Sequence, residues 1–333
     1  MTPERLMQFA WGYAPPLIIE AALKERVFDL LESGPKTVDE VANNGGGSVR
    51  GLRAIMNALV GLNLLTKHGE HRYGLTPESA AFLVSSSPGF HGGFFRHIST
   101  QLLPKWLQLN EIVHSGRPAI AVNQQSGGAE FFQEFVIDLF PMSYPPARAL
   151  AGALKLGDAK TDVRVLDLAA GSGVWSIALA QASPLVQVTA VDWSGVLDVT
   201  RRMAERFGLA ERYRFVAGDL MEADFGSGHH VATLGHILHS EGEARSRALL
   251  KKVAKALAPG GTIAIAEFLV NEERTGPPNG LLFAVNMLVA TQEGDTFSFG
   301  EIAEWLREAG FRDAHTIDTP GPSPLILATR SGS

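Results

Sequence analysis

The period of the hydrophobic and polar positions changes along the chain and divides it into two parts. In the first hundred residues apolar positions recur at helical spacing, which predicts helices over 15–34, from the N-cap Thr37 onward and after the N-cap Ser48. The segment LTKHGEHRYGLTP then contains two short strand-like pieces. Three helices followed by a β-wing predict a winged helix-turn-helix.

From residue 161 to the end, short apolar runs of β type alternate with helical segments. The strand-like runs read VRVLDL, QVTAVD, YRFVAGD, HVATLGHI and GTIAIAEFLV, and the pair HTIDT and LILATR closes the series. This alternation predicts an α/β fold in which a parallel sheet is covered by helices on both faces. Ligands of such folds bind beyond the carboxyl ends of the strands, so functional residues are expected there.

These patterns, with the residues between them, predict three regions. We expect a winged-helix dimerisation unit over 1–100, a helical linker over 101–155 that contributes to a substrate pocket, and a Rossmann-like domain over 156–333. Aromatic side chains are frequent around the linker, where they either line a pocket for an apolar or aromatic substrate or pack helices together. They are Phe94, Phe95, Phe131, Phe132 and Phe135.

The strand VRVLDL leads into the turn AAGSG and then into a helix, an order typical of a nucleotide-like cofactor site. Asp192 ends the second strand, where a carboxylate accepts hydrogen bonds from a ribose, and Asp219 ends the third and suits an adenine amino group. NAD, a flavin and S-adenosylmethionine all fit this geometry, but the turn lacks the third glycine of the NAD fingerprint. S-adenosylmethionine has no phosphate, and Asp167 is expected to face its ammonium group.

Composition and charge narrow the class of protein. The chain of 333 residues is 45% hydrophobic and 19% charged, which is ordinary for a globular protein, and it contains no cysteine. Disulfides and cysteine-ligated metals are therefore excluded. The absence of a signal peptide and of a long apolar run predicts a cytoplasmic protein. Residues 1–100 carry nine basic and nine acidic side chains, too little positive charge for DNA binding.

Four histidines crowd the segment 229–239 and raise the question of a metal site. A zinc site needs about three convergent ligands. His230 and His236 share one face only if their strand is regular, and His229 then points to the other face. Since no acidic residue completes a ligand set, we expect no metal.

Nearly the whole chain resembles the class I S-adenosylmethionine-dependent O-methyltransferases that carry an N-terminal winged-helix dimerisation domain. This family includes plant caffeic acid and hydroxyindole O-methyltransferases and polyketide-tailoring enzymes. LDLAAGSG resembles the family's cofactor loop, with Ala169 in place of its first glycine, and ALAPGGTIAIAEFLVNEERTGP and LFAVNMLVATQEGDTFSFGEIAEWLREAGF resemble its later segments. The resemblance implies a homodimer that binds S-adenosylmethionine, with no nucleic acid or membrane as partner.

The resemblance also implies roles for particular residues. His239 corresponds to the family's general base, Glu267 to its acidic partner, and Asp295 lies near a second acid. The implied cofactor-binding residues are Asp167, Ala169, Gly171, Gly173, Asp192, Trp193, Gly218, Asp219, Leu220, Gly235 and His236. The implied acceptor-pocket residues are Phe140, Met142, Asn286 and Met287. Asn286 lies among apolar neighbours and needs a partner, which we expect to be a substrate hydroxyl or the His239 region.

The chain departs from the family pattern after His239, where Ser240 and Glu241 replace Asp-Trp. Either Glu241 supplies the lost carboxylate or the base is weakened, and methyl transfer can also proceed by proximity and desolvation. The sequence thus predicts O-methylation of a hydroxyl on a small aromatic or polyketide-like molecule. The alternatives are S- or N-methylation or a non-methylating reaction on the same scaffold and, from another class, a winged-helix regulator that senses a ligand.

Overall fold

The computed structural model describes residues 2–122, 125–321 and 323–332. The chain divides into two compact units, Met1–Pro104 and Lys105–Ser333. No helix in the described part of the chain combines the length and the apolar composition that a membrane crossing needs.

The first unit consists of short helices and a small antiparallel sheet. Its helices are α1 (Glu4–Ala10), α2 (Ala14–Lys24), α3 (Val27–Leu31), α4 (Val38–Gly45), α5 (Val49–Gly61), α6 (Pro77–Phe82) and α7 (Gly92–His97). Its strands are β1 (Lys36–Thr37), β2 (Leu65–His68) and β3 (Arg72–Leu75), in the order β1-β3-β2. As predicted, Thr37 and Ser48 cap α4 and α5 by accepting hydrogen bonds from backbone N–H groups, and β2 and β3 form the β-wing.

The rest of the chain alternates helices and strands after a helical beginning. The helices are α8 (Leu103–Trp106), α9 (Leu109–Ser115), α10 (Gln125–Ala153), α11 (Val174–Ala182), α12 (Ser194–Arg206), α13 (Leu238–Ala256), α14 (Pro278–Ala290) and α15 (Phe299–Glu308). The strands are β4 (Val163–Leu168), β5 (Val186–Asp192), β6 (Tyr213–Ala217), β7 (His229–Gly235), β8 (Leu257–Ala266), β9 (Phe311–Ile317) and β10 (Leu325–Arg330).

Seven strands form one sheet in the order β6-β5-β4-β7-β8-β10-β9. The first five are parallel, and β10 runs antiparallel between β8 and β9. The register pairs Asp192 with Ala217 and Gly235 with Ala266, so the carboxyl ends of the parallel strands meet at one edge. The predicted α/β fold with helices on both faces of a largely parallel sheet is confirmed.

Two hydrophobic clusters cover the two faces of this sheet. Successive residues of a strand point to opposite faces, and accordingly Val165 belongs to one cluster and Leu166 to the other. Helices α10, α11 and α12 contribute to the first cluster, and α13 and α15 to the second. Burial on both faces explains why β4 reads as an almost continuous apolar run that ends in Asp167.

Helix α10 corrects one sequence-based expectation. The polar composition of the stretch NQQSGGAE predicts an exposed loop, but from Gln125 onward the chain belongs to α10. The first two residues of the stretch lie outside the described ones. The helix continues through three prolines, each of which removes a backbone donor. Ala147 and Leu150, with no exposed surface, lie in the hydrophobic cluster on this face. Tertiary packing therefore outweighs the local preference.

Candidate active site

The turn between β4 and α11 brings the backbone into a conformation that suits close approach of a ligand. Ala169, Gly171 and Gly173 have positive φ values of 51°, 57° and 72°. A Cβ atom at Gly171 would lie 3.2 Å from Cγ1 of Val136 on α10, so the space above this turn is tight. Ala169 adopts the left-handed conformation although it has a Cβ, at a cost of about 1 kcal/mol.

Asp192, at the carboxyl end of β5, is bonded to this turn. Its Oδ2 accepts a hydrogen bond from the N–H of Gly171 (2.9 Å), and its Oδ1 accepts one from the N–H of Trp193 (2.7 Å). Burial raises the pKa of Asp192 to about 6, although these two hydrogen bonds act in the opposite direction. A strand end and a glycine turn are thus held together by one carboxylate, which is half-buried and available to a diol.

Asp167 is held differently from what the sequence suggested. It has no exposed surface, and its oxygens accept hydrogen bonds from the hydroxyls of Ser176 (2.5 Å) and Thr233 (2.7 Å). Burial raises the pKa of Asp167 to about 6 against the effect of these bonds. Unlike Asp192, this carboxylate has no surface that a ligand could reach, so it does not open onto the site in this structure. We therefore assign Asp167 to the support of the turn.

The turn after β6 contains a second carboxylate with partners that the sequence did not indicate. Gly218 has a φ of 153° and donates its N–H to the carbonyl oxygen of Asp192. Asp219 accepts hydrogen bonds from the N–H of Met221 (2.8 Å) and, with both oxygens, from Nη2 of Arg245 (3.2 Å each). Leu220, which follows, is buried. Residues predicted for the ribose and the adenine are thus adjacent at one edge of the sheet.

His239 and Glu267 form a buried pair at the same edge. Nδ1 of His239 lies 2.7 Å from Oε2 of Glu267, while Oε1 accepts hydrogen bonds from the N–H groups of Leu238 (2.7 Å) and His239 (3.3 Å). Burial acts to raise the pKa of Glu267, but the charge of His239 and its hydrogen bonds outweigh burial and lower it. An ionised Glu267 holds the proton on Nδ1, so that Nε2 carries the lone pair of a base.

Aromatic rings that the sequence analysis missed surround this imidazole. The ring of Phe283, on α14, meets His239 edge to face at 4.9 Å, and the ring of Phe268 lies 4.2 Å from Phe283. His236 lies 5.1 Å from Phe268, and burial lowers its pKa to about 4. Phe268 directly follows Glu267, and that position was the available sequence signal. The imidazole of His239 therefore lies beside a group of planar, uncharged rings.

Asp295 and Glu241 do not supply a second carboxylate to the base. The backbone N–H of Asp295 donates to the carbonyl oxygen of His239 (2.9 Å), whereas its exposed side chain accepts a bond from Thr296. Glu241 is buried and pairs with Nε of Arg245 at 2.6 Å. Glu241 was one candidate to replace the family's acid beside His239. In the structure its carboxylate is paired with Arg245 instead.

The four residues predicted for the acceptor pocket lie in different parts of the fold. Phe140 stacks at 5.4 Å on Phe207, which follows the end of α12 remote from the carboxyl edge, so Phe140 is a packing residue and the prediction for it is corrected. Oδ1 of Asn286 accepts a hydrogen bond from the indole of Trp106 (3.0 Å), a partner that the sequence did not indicate. Met287, on α14, is buried, and Met142, on α10, is half-buried.

Two further cofactor candidates have packing partners. Trp193 contacts the ring of Phe132 on α10 at 6.2 Å between centroids. A Cβ atom at Gly235 would collide with the indole of Trp175, so a glycine is required there by packing. No group of three acidic or histidine side chains that could hold a metal ion occurs among the described residues.

Gly242 allows close contact between the backbone that follows His239 and the loop 291–295. It interrupts α13 with φ 73° and ψ 173°, and a Cβ atom there would collide with the carbonyl oxygen of Glu293. Such a backbone conformation is essentially restricted to glycine.

We expect Gly242→Ala to lower the free energy of unfolding by about 3 kcal/mol, measured by urea unfolding. Gly152→Ala, in open space on α10, should be neutral or stabilising; equal losses in both variants would contradict this account.

Comparison with known protein families shows which family the chain belongs to. Residues 149–312 match the model of the O-methyltransferase domain, and residues 7–85 match that of the O-methyltransferase dimerisation domain. The chain belongs to the O-methyltransferase family. The predicted resemblance, S-adenosylmethionine as cofactor and enzymatic O-methyl transfer are thereby confirmed, and the winged-helix regulator is set aside.

Individual members of the family are similar to this chain over almost its full length. The 3-hydroxy-5-methyl-1-naphthoate 3-O-methyltransferase of Streptomyces sahachiroi is 28% identical over 99% of this chain and 96% of its own. The tetracenomycin polyketide synthesis 8-O-methyl transferase TcmO of Streptomyces glaucescens is 27% identical over 98% and 97%. The crystal structure of human N-acetylserotonin methyltransferase in complex with S-adenosylmethionine superposes with a TM-score of 0.86, at 25% identity, over 99% and 97%.

Proposed function

We propose that this O-methyltransferase methylates a hydroxyl group on a flat aromatic or polyketide-like acceptor, with His239 as the general base. The observation that carries the proposal is the buried pair of His239 and Glu267 beside the rings of Phe268 and Phe283. Planar apolar rings favour a planar apolar ligand. The two Streptomyces relatives are named for a naphthoate and for tetracenomycin polyketide synthesis, which supports this acceptor class.

The residues of the site account for the proton that the acceptor must lose. S-adenosylmethionine, when bound, supplies an electrophilic methyl group on a sulfonium. Nε2 of His239 accepts the hydroxyl proton as the acceptor oxygen becomes nucleophilic, and ionised Glu267 stabilises the imidazolium through Nδ1. Because His239 is 8% exposed and Glu267 is 2% exposed, little water competes for the proton.

The residues around the glycine turn fit a cofactor without a phosphate. Val174, Trp175 and Ser176, which begin the helix after the turn, are buried, and the N–H of Ser176 donates to Asp167, so this N–H is not offered to a diphosphate. We assign Asp192 to the ribose hydroxyls and Asp219 with Leu220 to the adenine. The other assignments are Ala169, Gly171 and Gly173 for close backbone approach and Trp193, Gly218, Gly235 and His236 for the walls of the site.

The protein is proposed to act as a homodimer through its N-terminal unit. Residues 7–85 match a dimerisation domain, and apolar side chains in its first helices are exposed. Leu6, Phe9 and Trp11, within six residues of one another, expose 69%, 67% and 62% of their surface, and apolar side chains exposed together indicate an interaction surface. Sedimentation equilibrium tests this assembly. The cytoplasmic location expected from the sequence stays a prediction.

The affinity for S-adenosylhomocysteine, the product form of the cofactor, should depend on pH through Asp192. The ionised carboxylate accepts hydrogen bonds from both ribose hydroxyls, and the pKa of Asp192 is raised to about 6. Affinity should therefore be constant above pH 7 and fall as the pH decreases through 6, by up to about tenfold per pH unit. Isothermal titration calorimetry between pH 5 and pH 8 measures this.

Asp192→Asn provides the control for this pH dependence, because Asp167, whose pKa is also raised to about 6, is unchanged in the variant. The variant should bind more weakly at pH 8 and lose the decrease below pH 6. A wild-type affinity that stays constant down to pH 5 would contradict the assignment of Asp192 to the ribose.

A thermal-shift screen tests the acceptor class. The protein, saturated with S-adenosylhomocysteine, is mixed with hydroxynaphthoates, simple phenols, aliphatic alcohols, thiols and amines. We expect stabilisation by hydroxylated fused-ring aromatics above all other classes. Preferential stabilisation by a thiol or an aliphatic amine would refute the proposed acceptor.

A further inference from the structure

We propose that Arg245 is a positioning residue for the adenine end of the cofactor site, where it holds the carboxylate of Asp219 in place for the adenine amino group. This inference rests on the proposed function, which assigns Asp219 to adenine. Arg245 is not among the site residues expected from the sequence. Its position suggests the role, because Arg245 lies between two carboxylates, that of Glu241 on α13 and that of Asp219 in the turn after β6.

One guanidinium group joins these two carboxylates. Nη2 of Arg245 donates to both oxygens of Asp219 at 3.2 Å, and Nε donates to Oε2 of Glu241 at 2.6 Å. The N–H of Met221 donates to Oδ1 of Asp219 at 2.8 Å. Asp219 is thus fixed by its own turn on one side and by α13 on the other, so that its orientation does not depend on a ligand.

The two carboxylates differ in exposure, and this difference gives each a separate role. The side chain of Glu241 is 6% exposed, which makes it an anchor for Arg245 that solvent does not reach. The side chain of Asp219 is 31% exposed and that of Arg245 is 42% exposed, so a ligand can reach them. An arginine suits this task because its planar group donates in several fixed directions at once, whereas a lysine is a single mobile charge.

The bridge also gives a structural reason for the departure from the family pattern. Glu241 lies two residues after His239, in the turn that Glu267 fixes through the N–H groups of Leu238 and His239. Its carboxylate accepts a hydrogen bond from Arg245. The residue that replaces the family's tryptophan therefore connects the turn carrying the base with the turn carrying Asp219.

Arg247 offers a matched control on the same helix. Its Nε donates to Glu243 at 2.8 Å and its Nη1 to Glu308 at 2.5 Å, the same pattern of one acid four residues earlier and one from elsewhere in the fold. Neither of these partners belongs to the proposed cofactor site. A general loss of helix stability should therefore affect variants of Arg245 and Arg247 alike, while a positioning effect is confined to Arg245.

The test compares two ligands that differ at the adenine amino group. S-adenosylhomocysteine carries this amino group, and S-inosylhomocysteine has an oxygen in its place, which cannot donate to Asp219. We measure both dissociation constants by calorimetry for the wild type, Arg245→Met, Arg245→Lys and Arg247→Met, with thermal unfolding as the test of folding. Arg245→Lys keeps the charge and serves in place of the methionine variant if that variant does not fold.

We expect the wild type to prefer S-adenosylhomocysteine by about 30-fold or more, because the oxygen of the analogue faces the carboxylate of Asp219 with no hydrogen to donate. Arg245→Met should weaken S-adenosylhomocysteine about tenfold and reduce the preference below about fivefold, Arg245→Lys should lie between, and Arg247→Met should match the wild type. An unchanged preference in the Arg245 variants overturns the inference while leaving the proposed function intact. A wild type that binds neither ligand overturns the proposed function, and the inference with it.

Discussion

His239→Gln should lower kcat by a factor of about 10² to 10⁴ while leaving the affinity for S-adenosylhomocysteine within about twofold of the wild type. The reason is geometric. Nε2 of His239 is the basic atom left free by the bond between Nδ1 and Glu267, and a glutamine at this position offers no group that accepts a proton near neutral pH. Steady-state kinetics with an acceptor from the screen, together with calorimetry, measure both quantities.

His230→Gln is the matched control for this substitution. His230 is the second residue of the same strand, β7, at the end opposite to the catalytic edge, where its Nδ1 accepts a hydrogen bond from the N–H of Arg164 (3.0 Å). We expect its kcat to stay within about threefold of the wild type. A His239→Gln enzyme with wild-type kcat would show that proximity to the methyl donor suffices and that no base is used.

Glu267→Gln should have the second largest effect on activity, a loss in kcat of about 10². An amide cannot serve all three donors, since its nitrogen faces either the ring of His239 or the backbone N–H groups of Leu238 and His239. It also provides no charge to stabilise the imidazolium. We further expect the free energy of unfolding to fall by about 2 kcal/mol, because a buried donor is left without an acceptor.

Glu272→Gln separates this effect from the general consequences of losing a loop carboxylate. Glu272 also lies beyond the end of β8, and it accepts hydrogen bonds from the hydroxyl of Ser298 (2.8 Å) and the N–H of Gly300 (3.2 Å). Its substitution should change stability but leave kcat unchanged. If both variants lost stability and neither lost kcat, Glu267 would be a structural residue only.

Features that depend on neighbouring residues were predictable from the sequence. The apolar run of β4, the small residues of its turn and the acidic ends of β5 and β6 are local patterns, and the parallel register brings Asp192 and Gly171 within 2.9 Å. The partnership of His239 and Glu267 followed from the family resemblance, together with the rule that adjacent parallel strands end at one edge. Local pattern and sheet topology together therefore located the site.

Features that depend on contacts between distant segments were not predictable. Trp106 and Asn286 are 180 positions apart, so nothing in either segment indicates their hydrogen bond. Phe283 reaches His239 only because α14 packs beside the carboxyl edge. The backbone hydrogen bond from Asp295 to His239 was not predictable either, because it depends on a close approach of two loops that a side chain at position 294 would prevent.

The most direct test of the account is methyl transfer from S-adenosylmethionine labelled with ¹³C in its methyl group. The wild-type enzyme and His239→Gln are incubated with hydroxylated fused-ring aromatics, and the labelled atom is located in the product by NMR. The account predicts a methyl ether on an aromatic hydroxyl, formed by the wild type and reduced at least about 100-fold in the variant. A label attached to carbon, nitrogen or sulfur, or equal rates for the two enzymes, would contradict it.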